Sequence, residues 1–288
     1  MEKYCDLHTH SYYSDGTYSP AQVLKAAEAE NLSAVALCDH NNISGLPEFL
    51  ATGAQSPVEA VPGVEFSADY EGTELHILGL FIRPEHYGAV NSLLEEGRKR
   101  KEQSNVLLVQ NLNRAGFPLE LEKLRKSTGN EYVNRAHIAV EMTRLGYTRS
   151  VEAAFDHWLS PEKGLYIPPR WIDVLEIIRF IRGLGAAAVL AHPFLRLNED
   201  KLREFLPGAV SAGLSGMEVR YSRYDCRTTQ LAEQLAGEYG LLPSGGSDFH
   251  GEAKPDIRIG TGKGDLRVPA AWCENLKNAA TRDKPATM

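Results

Sequence analysis

Two histidines and an aspartate early in the sequence have the types and spacing of metal ligands. His8 and His10 lie two residues apart, so on a strand both imidazoles point to one face and can converge on an ion. Imidazole binds zinc, manganese and iron, although the pair alone is as typical of an exposed strand edge. Asp15 lies in a Ser-Asp-Gly turn that leaves this strand. An ordinary turn aspartate is the alternative to a carboxylate that folds back over a metal.

Further along the sequence, apolar runs again end in, or contain, a histidine or a carboxylate. The run at 34–38 is followed by Asp39 and His40. Either could be a ligand, and we favour His40, with Asp39 orienting an imidazole. Glu65 follows another apolar run, with a surface glutamate as the alternative. His76 lies inside an apolar run, where a single histidine is more often a hydrogen-bonded core residue.

The last two motifs follow apolar runs in the second half of the sequence. His192 comes directly after the run at 187–191, and Asp248 and His250 lie two apart after a Gly-Gly pair. Six of the nine histidines thus lie on or just after predicted strands: His8, His10, His40, His76, His192 and His250. With the carboxylates, they exceed the needs of one tetrahedral zinc, so we expect two or three metal ions. Clustered ions favour hydrolysis because they activate water near neutral pH and neutralise charge on a phosphoryl group.

The elements that must position these residues alternate between strands and helices. This alternation predicts an α/β fold with a largely parallel sheet, whose strands share one rim at their C-terminal ends. The stretch 87–169 interrupts the alternation with a helical pattern that is nearly continuous. We therefore expect a barrel domain formed by 1–86 and 170–280, with 87–169 as a helical insertion that caps the active site.

Composition narrows the classes of partner. The formal net charge is −7, and no Lys/Arg run is long enough to predict duplex nucleic-acid binding, whereas a small anionic substrate fits. Neither a secretory signal nor an apolar stretch of membrane-spanning length is visible, so we expect a cytoplasmic protein without a membrane partner. The four cysteines are widely spaced, and a disulfide framework is not expected.

Seven short motifs resemble, in order, those of the PHP (polymerase and histidinol phosphatase) superfamily. They are H-T-H at 8–10, S-D-G at 14–16, D-H at 39–40, G-V-E at 63–65, L-H at 75–76, A-H-P at 191–193 and S-D-F-H at 247–250. The resemblance implies a distorted (β/α)7 barrel and two or three divalent ions, with Mn²⁺ expected before Fe²⁺ or Zn²⁺. It also implies three ligand sets that share Glu65 as a bridge: His8, His10, Glu65 and Asp248; Asp15, His40 and His250; and Glu65, His76 and His192.

The helical insertion between L-H and A-H-P resembles that of the small stand-alone bacterial phosphoesterases. This implies an enzyme that removes the 3′-phosphate of nucleoside 3′,5′-bisphosphates and acts on the 5′ ends of short RNA. Three alternatives remain: a histidinol-phosphate phosphatase, an amidohydrolase acting on C–N bonds, and a non-catalytic module of the kind found in larger polymerases. No lysine occupies a strand end where an amidohydrolase would use a carboxylated lysine as the bridge.

Several residues are candidates for holding the substrate or moving a proton. Phosphate could bind Arg135 and His137, because Asn134 can cap a helix there, although a surface arginine is an equal alternative. Further candidates lie where the chain re-enters the barrel or follows the strand at 217–219: Arg170, Arg220 and Arg223. For the acid that protonates the leaving group, the candidates are His192 and Asp248.

Overall fold

The computed structural model describes residues 3–128, 133–169 and 171–282. The chain forms two compact units, one made of residues 1–92 and 172–288 and the other of residues 93–171. The predicted substrate residue Arg170 lies outside the described residues. Among the helices that the structure describes, none combines the length and apolar character needed to cross a bilayer.

The first unit is built on one mixed sheet. Its strands are β1 Tyr4–Thr9, β2 Ala34–Leu37, β3 Glu59–Tyr70, β4 Thr73–Leu80, β5 Ile172–Asp173, β6 Ala187–Leu190, β7 Gly216–Tyr221, β8 Leu242–Gly246 and β9 Val268–Pro269. The strand order is β8-β7-β6-β4-β3-β2-β1-β9, and β5 pairs with β3. Asp248 N–H donates to His8 O and His10 N–H donates to Phe249 O, each at 2.9 Å, so the chain after β8 joins β1. The sheet thus closes almost completely, which confirms the predicted distorted barrel.

Ten helices accompany these strands in the described residues. They are α1 Pro20–Ala29, α2 Leu46–Gly53, α3 Tyr87–Arg114, α4 Leu121–Thr128, α5 Arg135–Arg144, α6 Val151–Ala154, α7 Val174–Gly183, α8 Glu199–Ala212, α9 Cys226–Glu238 and α10 Ala270–Arg282. The start of α1 follows directly from its sequence. Ser19 accepts a bond from Gln22 N–H, Gln22 Oε1 accepts one from Ser19 N–H, and Pro20 occupies the first turn.

The β3–β4 pair differs from the largely parallel sheet that the sequence predicted. The apolar run at 58–61 is only the beginning of a 12-residue strand that continues through Pro62 and Gly63. It turns back into antiparallel β4 through Glu71 and Gly72, whose φ angles of 50° and 81° suit a two-residue hairpin loop. Consequently Glu65 lies in the middle of a strand rather than after one.

The barrel unit has a continuous apolar core. Strands β2 and β6 are buried at every residue, as expected for strands covered on both faces. All four cysteines are free thiols, and Cys5 and Cys38 are buried within this core, as small apolar residues are.

The second unit, described by itself, is helical and has its own apolar cluster. Leu108, Leu112, Ile138 and Met142 are fully buried in it, as the helical pattern predicted. Val140, on the same helix as Ile138 and Met142, is 55% exposed. That this unit caps the active site stays a prediction.

Candidate active site

Glu65 is the centre of a cluster of imidazoles at one end of the barrel. Its side chain is fully buried in β3, and each carboxylate oxygen faces more than one histidine. Oε2 lies 3.3 Å from His8 Nε2, 3.4 Å from His10 Nε2 and 2.9 Å from His40 Nδ1, and Oε1 lies 2.7 Å from His76 Nδ1 and 3.0 Å from His192 Nε2. A single carboxylate therefore connects five imidazoles from four other segments of the chain.

The remaining predicted ligands lie beside this centre. Asp248 Oδ1 is 3.2 Å from His10 Nε2, and His250 Nε2 is 3.2 Å from Asp15 Oδ1. His40 links the two groups, since its Nε2 is 3.9 Å from Asp15 Oδ2. The structure thus brings all nine predicted ligand side chains together.

The loop that carries Asp15 is held by a buried carboxylate. Asp39 accepts bonds from Ser11 N–H at 2.8 Å, Ser11 Oγ at 2.6 Å and Ser14 Oγ at 2.7 Å. It therefore orients the loop after β1, and not an imidazole as the sequence suggested. Gly16 completes the turn, because a Cβ there would lie 2.7 Å from His10 O.

A second buried carboxylate, Asp6, holds the segment that carries Asp248. It accepts bonds from Ser247 N–H at 2.9 Å and Gly260 N–H at 2.7 Å. The backbones of Asp248 and His192 have φ angles of 58° and 28°, which side-chain-bearing residues rarely adopt. Such strain persists where the surrounding contacts enforce it, and it is frequent at functional sites.

Glu218 also belongs to the site, and it was not singled out from the sequence. It is fully buried in β7, with Oε1 at 3.0 Å from His8 Nδ1 and Oε2 accepting from His192 N–H at 2.7 Å. The available signal was a lone carboxylate within an apolar strand, since a buried charge requires partners.

The electrostatics of the cluster favour ionised carboxylates. Burial alone would raise the pKa of Glu65, but the surrounding imidazoles, His40 first, hold it well below its usual range. Burial and histidines likewise oppose each other at Asp15 and Asp248, and the pKa of each is held well below its usual range. Burial, joined by repulsion from neighbouring imidazoles, lowers the pKa of His10 far below normal, which favours a neutral ring.

Several buried polar atoms of the cluster have no hydrogen-bond partner in the described part of the chain. They are His8 Nε2, His10 Nδ1, His10 Nε2, Asp15 Oδ1, Glu65 Oε2 and His250 Nε2. An unsatisfied buried polar group costs about 1–3 kcal/mol, so a concentration of them needs an explanation. Divalent cations supply one, because neutral imidazole and carboxylate are their ligands.

Four overlapping sets of ligand atoms lie close enough together to hold metal ions. They are His10, Asp15, His40 and His250; His8, His10 and Glu65; His8, His192 and Glu218; and His40, Glu65 and His76. The donor set thus fits the predicted group of two or three ions.

Arg220 does not reach the cluster, because the strand that carries it is irregular. The pairing of β7 with β8 shifts register between Glu218 and Arg220, which reverses the alternation of side chains. Arg220 consequently pairs with Glu233 at 3.3 Å and stacks over Trp272. Tyr221 points to the site instead and donates to Asp248 Oδ2 at 2.8 Å.

The other predicted substrate residues lie in different surroundings. Arg223 is exposed and lies two residues after Tyr221. Within the helical unit, Asn134 caps α5 as predicted by accepting from His137 N–H at 2.9 Å. Arg135 lies over the ring of Tyr166, 4.2 Å from its centroid.

A barrel end at which buried imidazoles and carboxylates converge defines a metal-dependent hydrolase. Residues 6–154 match the PHP domain family, and the chain belongs to that family. Its class is therefore that of the PHP metal-dependent phosphoesterases.

Relatives of known activity cover nearly the whole chain. It is 32% identical to the 5′-3′ exoribonuclease of Haemophilus influenzae over 256 residues, which are 87% of this chain and 91% of that protein. It is 29% identical to the 3′,5′-nucleoside bisphosphate phosphatase of Chromobacterium violaceum over 258 residues, 88% of this chain and 90% of that protein. The chain is also similar to a solved structure, that of an amidohydrolase from Chromobacterium violaceum with bound sulfate and no metal. The two have a TM-score of 0.83 and 27% sequence identity, and the match covers 96% of each chain.

Proposed function

We propose that this phosphoesterase removes the 3′-phosphate from nucleoside 3′,5′-bisphosphates and also acts on the 5′ ends of short RNA. The observation that carries the proposal is the buried, Glu65-centred cluster of nine side chains. The activities named for the Chromobacterium and Haemophilus relatives support this choice of substrates. Bound sulfate in the related structure, an anion with the shape of phosphate, agrees with it.

Three ligand sets follow from this proposal. One ion would be held by His8, His10, Glu65 and Asp248, a second by Asp15, His40 and His250, and a third by Glu65, His76 and His192. Close groups of ligand atoms support most of the first set and all of the second. Asp248 joins the first set through His10 at 3.2 Å, and Glu65 Oε1 joins His76 and His192 in the third at 2.7 and 3.0 Å. Mixed imidazole and carboxylate ligands suit manganese, and also iron or zinc. When bound, such ions supply Lewis acidity and lower the pKa of water. A cytoplasmic location is part of the same proposal.

The chain's own residues define what surrounds the reacting phosphate. Tyr221 and Lys254 hold Asp248 Oδ2 at 2.8 and 2.9 Å, which leaves Oδ1 directed to the cluster. An ionised Asp248 has no proton to donate, and His192 cannot use Nε2 both to bind a metal and to donate a proton. We therefore propose both as ligands rather than as acids. Arg223 is the proposed contact for the substrate phosphate, because it is exposed and follows Tyr221, which contacts Asp248, by two residues.

A substrate panel tests the proposal. Metal-loaded protein is incubated with 3′-phosphoadenosine 5′-phosphate, adenosine 5′-monophosphate, histidinol phosphate and a short 5′-phosphorylated RNA, and released phosphate and nucleotides are quantified. We expect phosphate and adenosine 5′-monophosphate from the bisphosphate and mononucleotides from the RNA, and we expect Asp248→Ala to form neither set of products. Hydrolysis of histidinol phosphate alone would contradict the substrate, and failure on every ester would contradict the activity.

An amidohydrolase is the second candidate, because the related Chromobacterium structure bears that name. Against it, a carboxylate from Glu65 holds the central position, and Lys254 donates to Asp248 at 2.9 Å instead of bridging. A panel of N-acyl amino acids and cyclic amides, run with the same metal-loaded protein, separates the two. Amide hydrolysis without phosphate release would favour the second candidate.

A further inference from the structure

Glu218 contacts two of the proposed ligands, His8 and His192. Its carboxylate is fully buried, with one oxygen 3.0 Å from the His8 ring and the other 2.7 Å from the backbone N–H of His192. The His8 and His192 rings are stacked, with centroids 5.5 Å apart. Nε2 of each ring lies near Glu65, so the two ring nitrogens of His8 meet different carboxylates.

We propose that Glu218 is a positioning residue of the metal centre. An ionised carboxylate offers only acceptors, so His8 Nδ1 must carry the proton that bonds to Oε1. This fixes the tautomer in which His8 Nε2 is an unprotonated donor atom directed at the cluster. Histidines that bind metals through one ring nitrogen are commonly held by a carboxylate at the other. The inference rests on the proposed metal site and is independent of which ester is hydrolysed.

The bond to His192 gives Glu218 a second task. His192 has a φ angle of 28°, a backbone conformation that costs free energy and must be enforced by its surroundings. Its N–H donates to Glu218 Oε2, which fixes the turn that directs the imidazole to Glu65. One buried side chain therefore controls the ring of one ligand and the backbone of another.

Replacing Glu218 by glutamine removes the negative charge and one acceptor oxygen but keeps the size of the side chain. A glutamine offers one acceptor oxygen, and its NH₂ group would face an N–H donor at His8 or at His192. Glu218→Gln therefore loses one of the two bonds while keeping the volume of the side chain. Glu233→Gln is the matched control, because Glu233 lies on the neighbouring helix α9 and pairs with Arg220 away from the cluster.

The test measures metal binding in Glu218→Gln and Glu233→Gln by titrating metal-free protein with Mn²⁺ against a competing chelator. We expect a 10- to 100-fold weaker affinity in Glu218→Gln, the same number of ions at saturation, and unchanged binding in Glu233→Gln. Wild-type affinity in Glu218→Gln would overturn the inference. Loss of one ion at saturating metal would also overturn it, because Glu218 would then be a ligand itself. Failure of the wild type to bind Mn²⁺ would instead contradict the proposed function.

A second measurement needs no variant at 218 and so does not depend on how Glu218→Gln folds. Nitrogen NMR of ¹⁵N-histidine-labelled, zinc-loaded wild-type protein reports which ring nitrogen of each histidine is protonated, and loss of a signal in His8→Ala assigns His8. We expect a protonated Nδ1 on His8. A protonated Nε2 with a bare or metal-bound Nδ1 would overturn the inference.

Discussion

Replacing Glu65 by glutamine removes one negative charge from the centre of the cluster and leaves its size unchanged. Glu65 is fully buried, and five imidazole nitrogens lie within 3.4 Å of its two oxygens. Every proposed ligand set except that of Asp15 includes this carboxylate. The substitution should therefore weaken the binding of more than one ion.

The size of the effect follows from the charge that is lost. At about 4 Å and an effective dielectric constant of about 20, two unit charges attract by about 4 kcal/mol. The same charge acts on His76, where Glu65 and Glu74 together outweigh the opposing effect of burial and raise the pKa from 6.5 to about 10. A loss of about 4 kcal/mol corresponds to about a thousand-fold weaker binding.

The assay is Mn²⁺ titration of metal-free Glu65→Gln, with phosphate release from 3′-phosphoadenosine 5′-phosphate measured in parallel. Glu59→Gln is the control, because Glu59 lies on the same strand but pairs with Lys277 at 2.7 Å. We expect about a thousand-fold loss of affinity, with loss of activity, in Glu65→Gln and little change in Glu59→Gln. Metal affinity within tenfold of wild type in Glu65→Gln would refute the electrostatic reasoning.

Three further predictions concern the fold around the cluster, the bound metal and pH. Gly246→Ala should destabilise the protein and weaken metal binding, because the new Cβ would lie 2.4 Å from that of His8. Gly237→Ala is the control, because its Cβ would meet nothing within 4 Å, and equal unfolding temperatures of the two variants would contradict the prediction. Removal of metal by a chelator should lower the unfolding temperature by about 5–10 °C, because binding to the native state at a hundred times Kd contributes about 2.7 kcal/mol; an unchanged temperature would argue against bound metal. In the metal-free protein, the depressed pKa of Glu65 stabilises the fold above about pH 4, and this contribution is lost on acidification. The raised pKa of His76 stabilises the fold below about pH 6.5, and this contribution is lost as the pH rises towards about 10. The free energy of unfolding in urea should thus be greatest between about pH 4 and 6.5, and a flat profile from pH 3 to 9 would refute this prediction.

The full set of nine ligands was implied by the resemblance to the PHP superfamily, but part of their convergence was predictable because strand geometry is regular. Residues two apart share a face, which places His8 beside His10, and parallel strands end at a common rim, which adds His40 and His192. The capping box at Ser19 is equally local, since it needs only Ser19, Pro20 and Gln22. These inferences needed only spacing and residue type.

Features that depend on pairing between strands could not be predicted in this way. Pro62 and Gly63 are typical of a strand end, yet pairing with β2 and β4 carries β3 through them. The irregular register in β7 turns Arg220 away and Tyr221 inward, which no alternation in the sequence reveals. Glu218 was overlooked because its partners lie far from it in sequence.

We propose that hydrolysis depends on ions held by the Glu65-centred cluster. Stepwise addition of Mn²⁺ to metal-free protein, with bound metal per chain and phosphate release from 3′-phosphoadenosine 5′-phosphate recorded together, measures this dependence. We predict that release begins only as ions bind and is complete at two or three per chain. Full activity in the metal-free protein, or binding of two or three ions without any phosphate release, would show that hydrolysis does not depend on these ions.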